Sequence, residues 1–201
     1  MSEHYYTSKP TVKHDRRTLE VRLLGRMWTF RTDAGVFSKG DVDYGSRLLI
    51  ETMTIPQDAE VLDVGCGYGP IGIAAASMAD RGTAVLVDVN ERALELAAEN
   101  AETNRIRNVQ VLQSDLFAAL AGRTFTHIVS NPPIRAGKQV VHRLFEEAHR
   151  HLKLDGELWI VIQKKQGAPS AVVKLEQLFD RVEVAEQSKG YKIIKAVKNT
   201  D

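Results

Sequence analysis

A chain of 201 residues, 43% hydrophobic and 26% charged, has the make-up of a soluble globular protein with a sizeable core. Its one cysteine, Cys66, excludes an internal disulfide framework; with no apolar run near the roughly 20 residues of a membrane span and no signal-peptide core at the N-terminus, the expectation is cytoplasmic. The net charge of +1 is unevenly spread, with seven Lys/Arg against three Asp/Glu in residues 1–31, seven against fourteen in 32–132 and thirteen against nine in 133–201, so the basic ends either meet as a face for a polyanion or are solvated surface.

In chain order, T-L-E-V-R-L-L (18–24) and M-W-T-F-R (27–31) read as a hairpin turning at Gly25-Arg26. V-F-S-K-G-D-V-D-Y-G-S then leads into the helix-like L-L-I-E-T-M. Strand-like runs follow at 60–64, 83–88, 108–113, 125–130 and 156–163, separated by helix-like stretches at 70–79, 90–104, a short one near 116–120, and 139–151. A helix near 168–178 and strands near 181–187 and 191–197 close the chain, the last two near enough to pair as an antiparallel end. This alternation predicts an α/β fold with a doubly wound, mostly parallel sheet. A single domain over 1–201 is expected, with 1–35 as a hairpin extension and 36–201 as the core.

Ligands of such sheets bind beyond the carboxyl ends of the strands. Four loops there carry unusual residues. In V-L-D-V-G-C-G-Y-G-P, Gly65, Gly67 and Gly69 stand at alternate positions between a strand and a helix, where they allow a tight turn and close approach to the main chain. Glycines so placed can also serve packing alone. Asp88 ends the next strand and can accept from both hydroxyls of a ribose, or cap the following helix, a job for which Asn90 is better placed. Asp115 in Q-S-D-L-F can accept from an adenine amino group or cap a helix. The fourth loop is S-N-P-P-I, which holds an amide rigidly against two prolines at a strand end. The spacing G-x-G-x-G departs from the G-x-G-x-x-G of dinucleotide sites, and an NAD enzyme has no evident use for the Asn-Pro-Pro corner.

Together, D-V-G-C-G-Y-G, the distant Asp88, S-D-L-F and S-N-P-P-I resemble class I S-adenosylmethionine-dependent methyltransferases. With V-F-S-K-G-D-V-D-Y-G-S upstream and N-P-P-I-R-A-G-K downstream, the chain resembles more narrowly the methyltransferase small-domain family, typified by RsmC-like enzymes that methylate the exocyclic amine of guanine in 16S ribosomal RNA. The resemblance implies a Rossmann-like, seven-stranded sheet with the last strand inserted antiparallel, S-adenosyl-L-methionine as cofactor, and RNA of the small ribosomal subunit as partner. It assigns Asp63, Gly65, Gly67 and Gly69 to the methionine and ribose side of the cofactor, Asp88 to the ribose hydroxyls, and Asp115 with Leu116 to the adenine. Asn131, Pro132, Pro133 and Ile134 would form the target-amine pocket, and Phe37, Ser38, Asp43, Gly45 and Ser46 would close over cofactor and base.

The chemistry gives the corner a use. An exocyclic amine is a poor nucleophile because its lone pair is delocalised, and two fixed acceptors, the Asn131 side-chain oxygen and the Pro132 carbonyl, can orient it for in-line attack. Many enzymes with this motif carry Tyr or Phe where this chain has Ile134, so the stacking partner is expected from Phe37 or Tyr44. Glutamine side chains of release factors are methylated through a similar Asn-Pro-Pro-Tyr pocket, which makes a protein glutamine methyltransferase the alternative enzyme; a non-catalytic RNA-binding protein with this fold is the other alternative. Arg135, Lys138, Lys164 and Lys165 are the best-placed cations for RNA phosphates. His142, His149 and His151 have no companion cysteines, and no metal site is expected. Cys66 is expected to pack rather than react.

Overall fold

The computed structural model describes residues 7–37 and 40–200. Nine strands and five α-helices form two sheets among these residues. The first is a hairpin of β1 (Arg17–Leu23) and β2 (Arg26–Thr32). Its turn is Leu24-Gly25, one residue earlier than the sequence suggests, and both residues have positive φ (52° and 72°), the backbone of a type I′ turn whose twist matches the flanking strands. Alternate residues Val21, Leu23, Trp28 and Phe30 point inward and join the main core.

The second sheet has seven strands in the order β5-β4-β3-β6-β7-β9-β8. Its centre is β3 (Glu60–Val64), β4 (Thr83–Asp88), β6 (Phe125–Ser130) and β7 (Leu152–Gln163). The apolar runs Val61-Leu62 and Ala84–Val87, buried on both faces, are why these strands run parallel under helices rather than alternating with solvent. At one edge lies β5 (Val109–Gln113), at the other β8 (Arg181–Ser188), whose charged, exposed sequence blunts that edge. The last strand, β9 (Tyr191–Val197), is inserted antiparallel between β7 and β8, as expected.

Helices α1 (Tyr44–Thr52), α2 (Pro70–Met78) and α3 (Glu91–Thr103) cover one face with the hairpin, while α4 (Lys138–His151) and α5 (Ala168–Leu178) cover the other. Asn100 and Asn104, one turn apart on α3, bind the hairpin to it. Their amides accept from the backbone N–H groups of Arg31 (2.7 Å) and Thr29 (3.1 Å) and donate to the same residues' carbonyls (2.9 and 2.7 Å), so α3 pairs with the outer edge of β2 much as another strand would.

Two expected elements differ. Residues 116–119 form turns rather than a helix, because Leu116 takes the left-handed conformation (φ 50°) that a helix cannot continue through. β7 starts at Leu152, not 156: Asp155 (φ 60°) lies where the register against β6 shifts, and its N–H donates to the Lys198 carbonyl (2.6 Å), which carries the strand back to Leu152.

Candidate active site

β3 lies between β4 and β6, so the chain winds outward in both directions from this point, and a crevice opens beyond the carboxyl ends of these strands. A cleft occupies it. Its walls come from residues 65–68 after β3, 88–90 after β4, Ser114 and Leu116 after β5, and 131–133 after β6, with Val36, Phe37, Asp43 and Ser46 closing from above.

The loop after β3 is tied down through backbone amides. Gly65 and Cys66 N–H groups both donate to the Val87 carbonyl (2.9 Å each), and Gly67 N–H donates to Asp88 Oδ2 (2.8 Å). Gly65 (φ 72°) and Gly67 (φ 57°) require left-handed backbone, and a Cβ on either would enter open space, so a ligand can lie against the bare main chain there. Gly69 also has positive φ (97°) but does not line the cleft, and a Cβ there would come within 2.8 Å of Ile73 and 3.2 Å of Ala97, so it serves the turn and its packing.

Asp88 organises the adjoining wall. Its Oδ1 accepts from the Asn90 N–H (2.9 Å), and its carboxylate keeps further lone pairs for a ligand's hydroxyls. Burial raises its pKa, partly offset by these N–H bonds. Asn90, not Asp88, caps α3, accepting from Ala93 N–H (3.2 Å), and its amide donates to the Gly35 carbonyl (2.8 Å), which holds the Val36 and Phe37 shoulder of the cleft.

Asp63 is 1% exposed, and burial pushes its carboxyl up to about 8, with the charge of Asp88 adding and an N–H bond from Gly72 (2.8 Å) opposing. Its Oδ1 and the Tyr68 hydroxyl are buried without a hydrogen-bond partner among the described residues. Gly72 is needed here for packing, since a Cβ would lie 2.7 Å from Asp63 Oδ2 and 2.6 Å from Leu86. Cys66 is buried, its thiol donating to the Gly67 carbonyl (3.4 Å), and burial raises its pKa well above the usual value, which leaves it an unreactive thiol.

At the opposite wall, Pro132, Pro133 and Ile134 form a tight turn. Pro133 (φ −76°, ψ 73°) has inverse γ-turn geometry, and Ile134 N–H donates to the Pro132 carbonyl (2.8 Å), leaving that oxygen one lone pair. The Asn131 amide donates to Ser46 Oγ (3.1 Å), so its side-chain oxygen is turned away from Ser46 and free to accept. Ser46 is itself placed by Asp43, the N-cap of α1, whose carboxylate accepts from the Ser46 N–H (3.1 Å).

The expected residues do not all converge. Asp63, Gly45 and Asp115 do not line the main cleft. Gly45 is required because a Cβ would come within 2.9 Å of Tyr191. Asp115 is exposed, faces a neighbouring hollow and pairs with Arg143 (2.9 Å), whereas Ser114 and Leu116 on either side line the cleft. Ile134 lines a second cleft beyond the proline corner. Tyr44 is engaged elsewhere, its ring against Tyr191 and its hydroxyl on Ser188 (2.8 Å), so Phe37, 42% exposed at the rim, is the aromatic side chain at the mouth. Ser38 lies outside the described residues. Arg135, Lys138, Lys164 and Lys165 are exposed; Lys138 lines the second cleft, and the other three lie within two residues in sequence of its lining residues Ile134 and Gln166. His142, His149 and His151 face different partners, Phe145, Phe179 and Phe117 respectively.

Residues 27–195 match the family model for the methyltransferase small domain. The chain belongs to the methyltransferase small-domain family. Among relatives, an uncharacterized protein of Bacillus subtilis (strain 168), YbxB, is 58% identical over 200 residues, covering 98% of this chain and all of that one. Ribosomal RNA small subunit methyltransferase C of Escherichia coli O1:K1 is 35% identical over 173 residues, covering 84% of this chain and 49% of that protein. The solved structure of the T. thermophilus 16S rRNA N2 G1207 methyltransferase (RsmC) in complex with AdoMet and guanosine superposes with a TM-score of 0.80 at 28% identity, over 94% of this chain and 52% of that one. The chain thus spans about half the length of these two RsmC proteins.

Proposed function

We propose that this small-domain methyltransferase transfers a methyl group to the exocyclic amine of a guanine in small-subunit ribosomal RNA. The cofactor is S-adenosyl-L-methionine, which supplies an electrophilic methyl on a sulfonium. Open space over Gly65 and Gly67, the lone pairs left on Asp88, and the apolar Leu116 wall fit its adenosyl part. Asp43, in the upper wall of the cleft, is an acidic side chain within it that suits the cofactor's ammonium.

The observation that carries the reading is the Ser46–Asn131 hydrogen bond, which leaves one amide oxygen and the remaining lone pair of the Pro132 carbonyl as acceptors beside the glycine loop. Two such acceptors match the two hydrogens of an amino group, hold its nitrogen still and favour the pyramidal geometry in which the lone pair is available. No strong base is needed, because the nitrogen carries a positive charge after transfer and releases a proton readily to water. Phe37 offers its ring to the base. RNA as substrate is favoured by the names borne by the two RsmC relatives and by the four exposed cations beyond the corner.

Mass mapping of ribosomal RNA from cells lacking the gene tests this. One guanine should lose a methyl group and regain it on complementation; an unchanged guanine set, with a protein glutamine losing its methyl group instead, refutes it. Asn131→Ala should leave cofactor binding by calorimetry nearly intact while slowing transfer by about 10²–10³-fold.

A further inference from the structure

The Asn-Pro-Pro corner separates two clefts. Residues 131–133 line the first, and Ile134 lines the second, a hollow of about 130 Å³ between the start of α4 and the start of α5. That is below the roughly 300–1,000 Å³ of sites that enclose a whole small ligand, so it offers room for one flat group rather than for a whole nucleotide. Nothing in the transfer chemistry uses it.

Its floor is apolar: Val141, Ile162 and Ala171 are buried, and Ile134 is partly so. Its rim is polar, with Ser170 and Gln166 on one side and His142 on the other. Desolvation and the neighbouring Lys138 and Lys174 lower the His142 pKa, with Glu146 opposing. An imidazole ring at the rim of an aliphatic floor suits a planar guest.

The charge around the mouth selects among planar guests. Lys138 is at the rim, Arg135 directly follows Ile134, and Lys164 and Lys165 occupy the short turn before Gln166. None of the four has an ion-pair partner among the described residues. Lys174, deeper along α5, is by contrast neutralised by Glu146 (2.5 Å). Unneutralised cations beside an apolar floor match a base with its phosphates.

We infer that this second cleft receives the base of a nucleotide adjacent to the target guanine, with Lys138, Lys164 and Lys165 on its phosphates. The inference rests on the RNA reading above and makes the substrate a single-stranded or splayed segment gripped on both sides of the proline corner.

The test uses the full chain, ribosomal RNA from cells lacking the gene, and an RNA oligonucleotide of the target sequence with 4-thiouridine next to the guanine. Ser170→Trp fills the cleft from its rim and should raise KM for RNA about tenfold, the worth of one stacked base, with kcat and cofactor affinity little changed. Irradiation should crosslink the thiouridine to residues 134–142 or 162–171 of the wild type and not of Ser170→Trp. The surface double variant Lys164→Glu/Lys165→Glu carries no folding risk and should flatten the salt dependence of RNA binding, by roughly 0.7 in log–log slope for each phosphate no longer neutralised. An unchanged RNA KM in both variants, with crosslinks elsewhere, overturns the cleft assignment and leaves the RNA reading intact. If the wild type methylates no RNA but does methylate a protein glutamine, and Ser170→Trp blocks that, both fall and the cleft holds a peptide side chain.

Discussion

Ser46→Ala separates positioning from contact at the amine pocket. Ser46 Oγ accepts one bond, from the Asn131 amide at 3.1 Å, and the Asp43 cap reaches the Ser46 backbone N–H, so the substitution deletes the first interaction while keeping the second. Asn131 is half-buried, so its released amide can turn to water. The loss is then that of an ordinary neutral hydrogen bond, about 0.5–1.5 kcal/mol. If the bond serves only to aim the Asn131 oxygen, that energy appears in the barrier as roughly a twofold to tenfold fall in kcat. Asn131→Ala removes the acceptor itself and should cost about 10²–10³ in kcat, by the scale of other preorganised hydrogen-bonding groups. The decisive measurement is the double variant. Once Asn131 is gone, Ser46 has nothing to aim, so Ser46→Ala/Asn131→Ala should be no slower than Asn131→Ala alone. Kinetics of methyl transfer at saturating cofactor, with affinity checked by calorimetry, provide the numbers. Losses that multiply would show that Ser46 acts on the reaction independently, and the positioning argument would fail.

The buried Asp63 makes stability depend on pH in a defined direction. Folded Asp63 keeps its proton up to about 8, while the unfolded chain releases it near 3.8, so the folded chain holds more protons in between and stability falls as pH rises through that window. Asp63→Asn has no such titration and should lose less stability than wild type between about pH 5 and pH 8 in urea melts; parallel curves for the two proteins would remove Asp63 as the cause. Gly72→Ala places a Cβ against Leu86 and Asp63 and should cost about 1–3 kcal/mol, seen as a Tm several degrees lower. An unchanged Tm would mean that the helix shifts to make room.

Much of the sheet was legible because the residues that form it are self-sufficient signals. Val61, Leu62 and Val64, and the unbroken run Ala84 to Val87, are apolar on both faces, which only a strand covered from both sides tolerates, and Asn90 or Pro70 mark where the following helices begin. That the glycine loop and Asp88 line the cleft was legible because the loop directly follows an apolar strand and Asp88 ends another. The misread stretches are those where backbone conformation contradicts side-chain pattern. Leu116 is apolar and helix-prone, yet its positive φ breaks the run, and residues 152–155, outside the expected strand at 156–163, belong to it although Asp155 also has positive φ.

What no local pattern could carry is the pairing of groups far apart in the chain. Ser46 and Asn131 are 85 residues apart, and Asn90 reaches the Gly35 carbonyl from 55 away. Asp115 illustrates the converse: the motif around it is at the cleft, but its side chain is turned to Arg143, 28 residues on, and its neighbours Ser114 and Leu116 line the wall instead. The same holds for Ile134. An isoleucine where relatives of this motif carry an aromatic looks like a missing stacking surface as long as the residue is assumed to face the amine. Its side chain lines the second cleft instead, while Phe37 lines the first, so under the proposed function the residue at 134 does not decide whether a ring is available to the base.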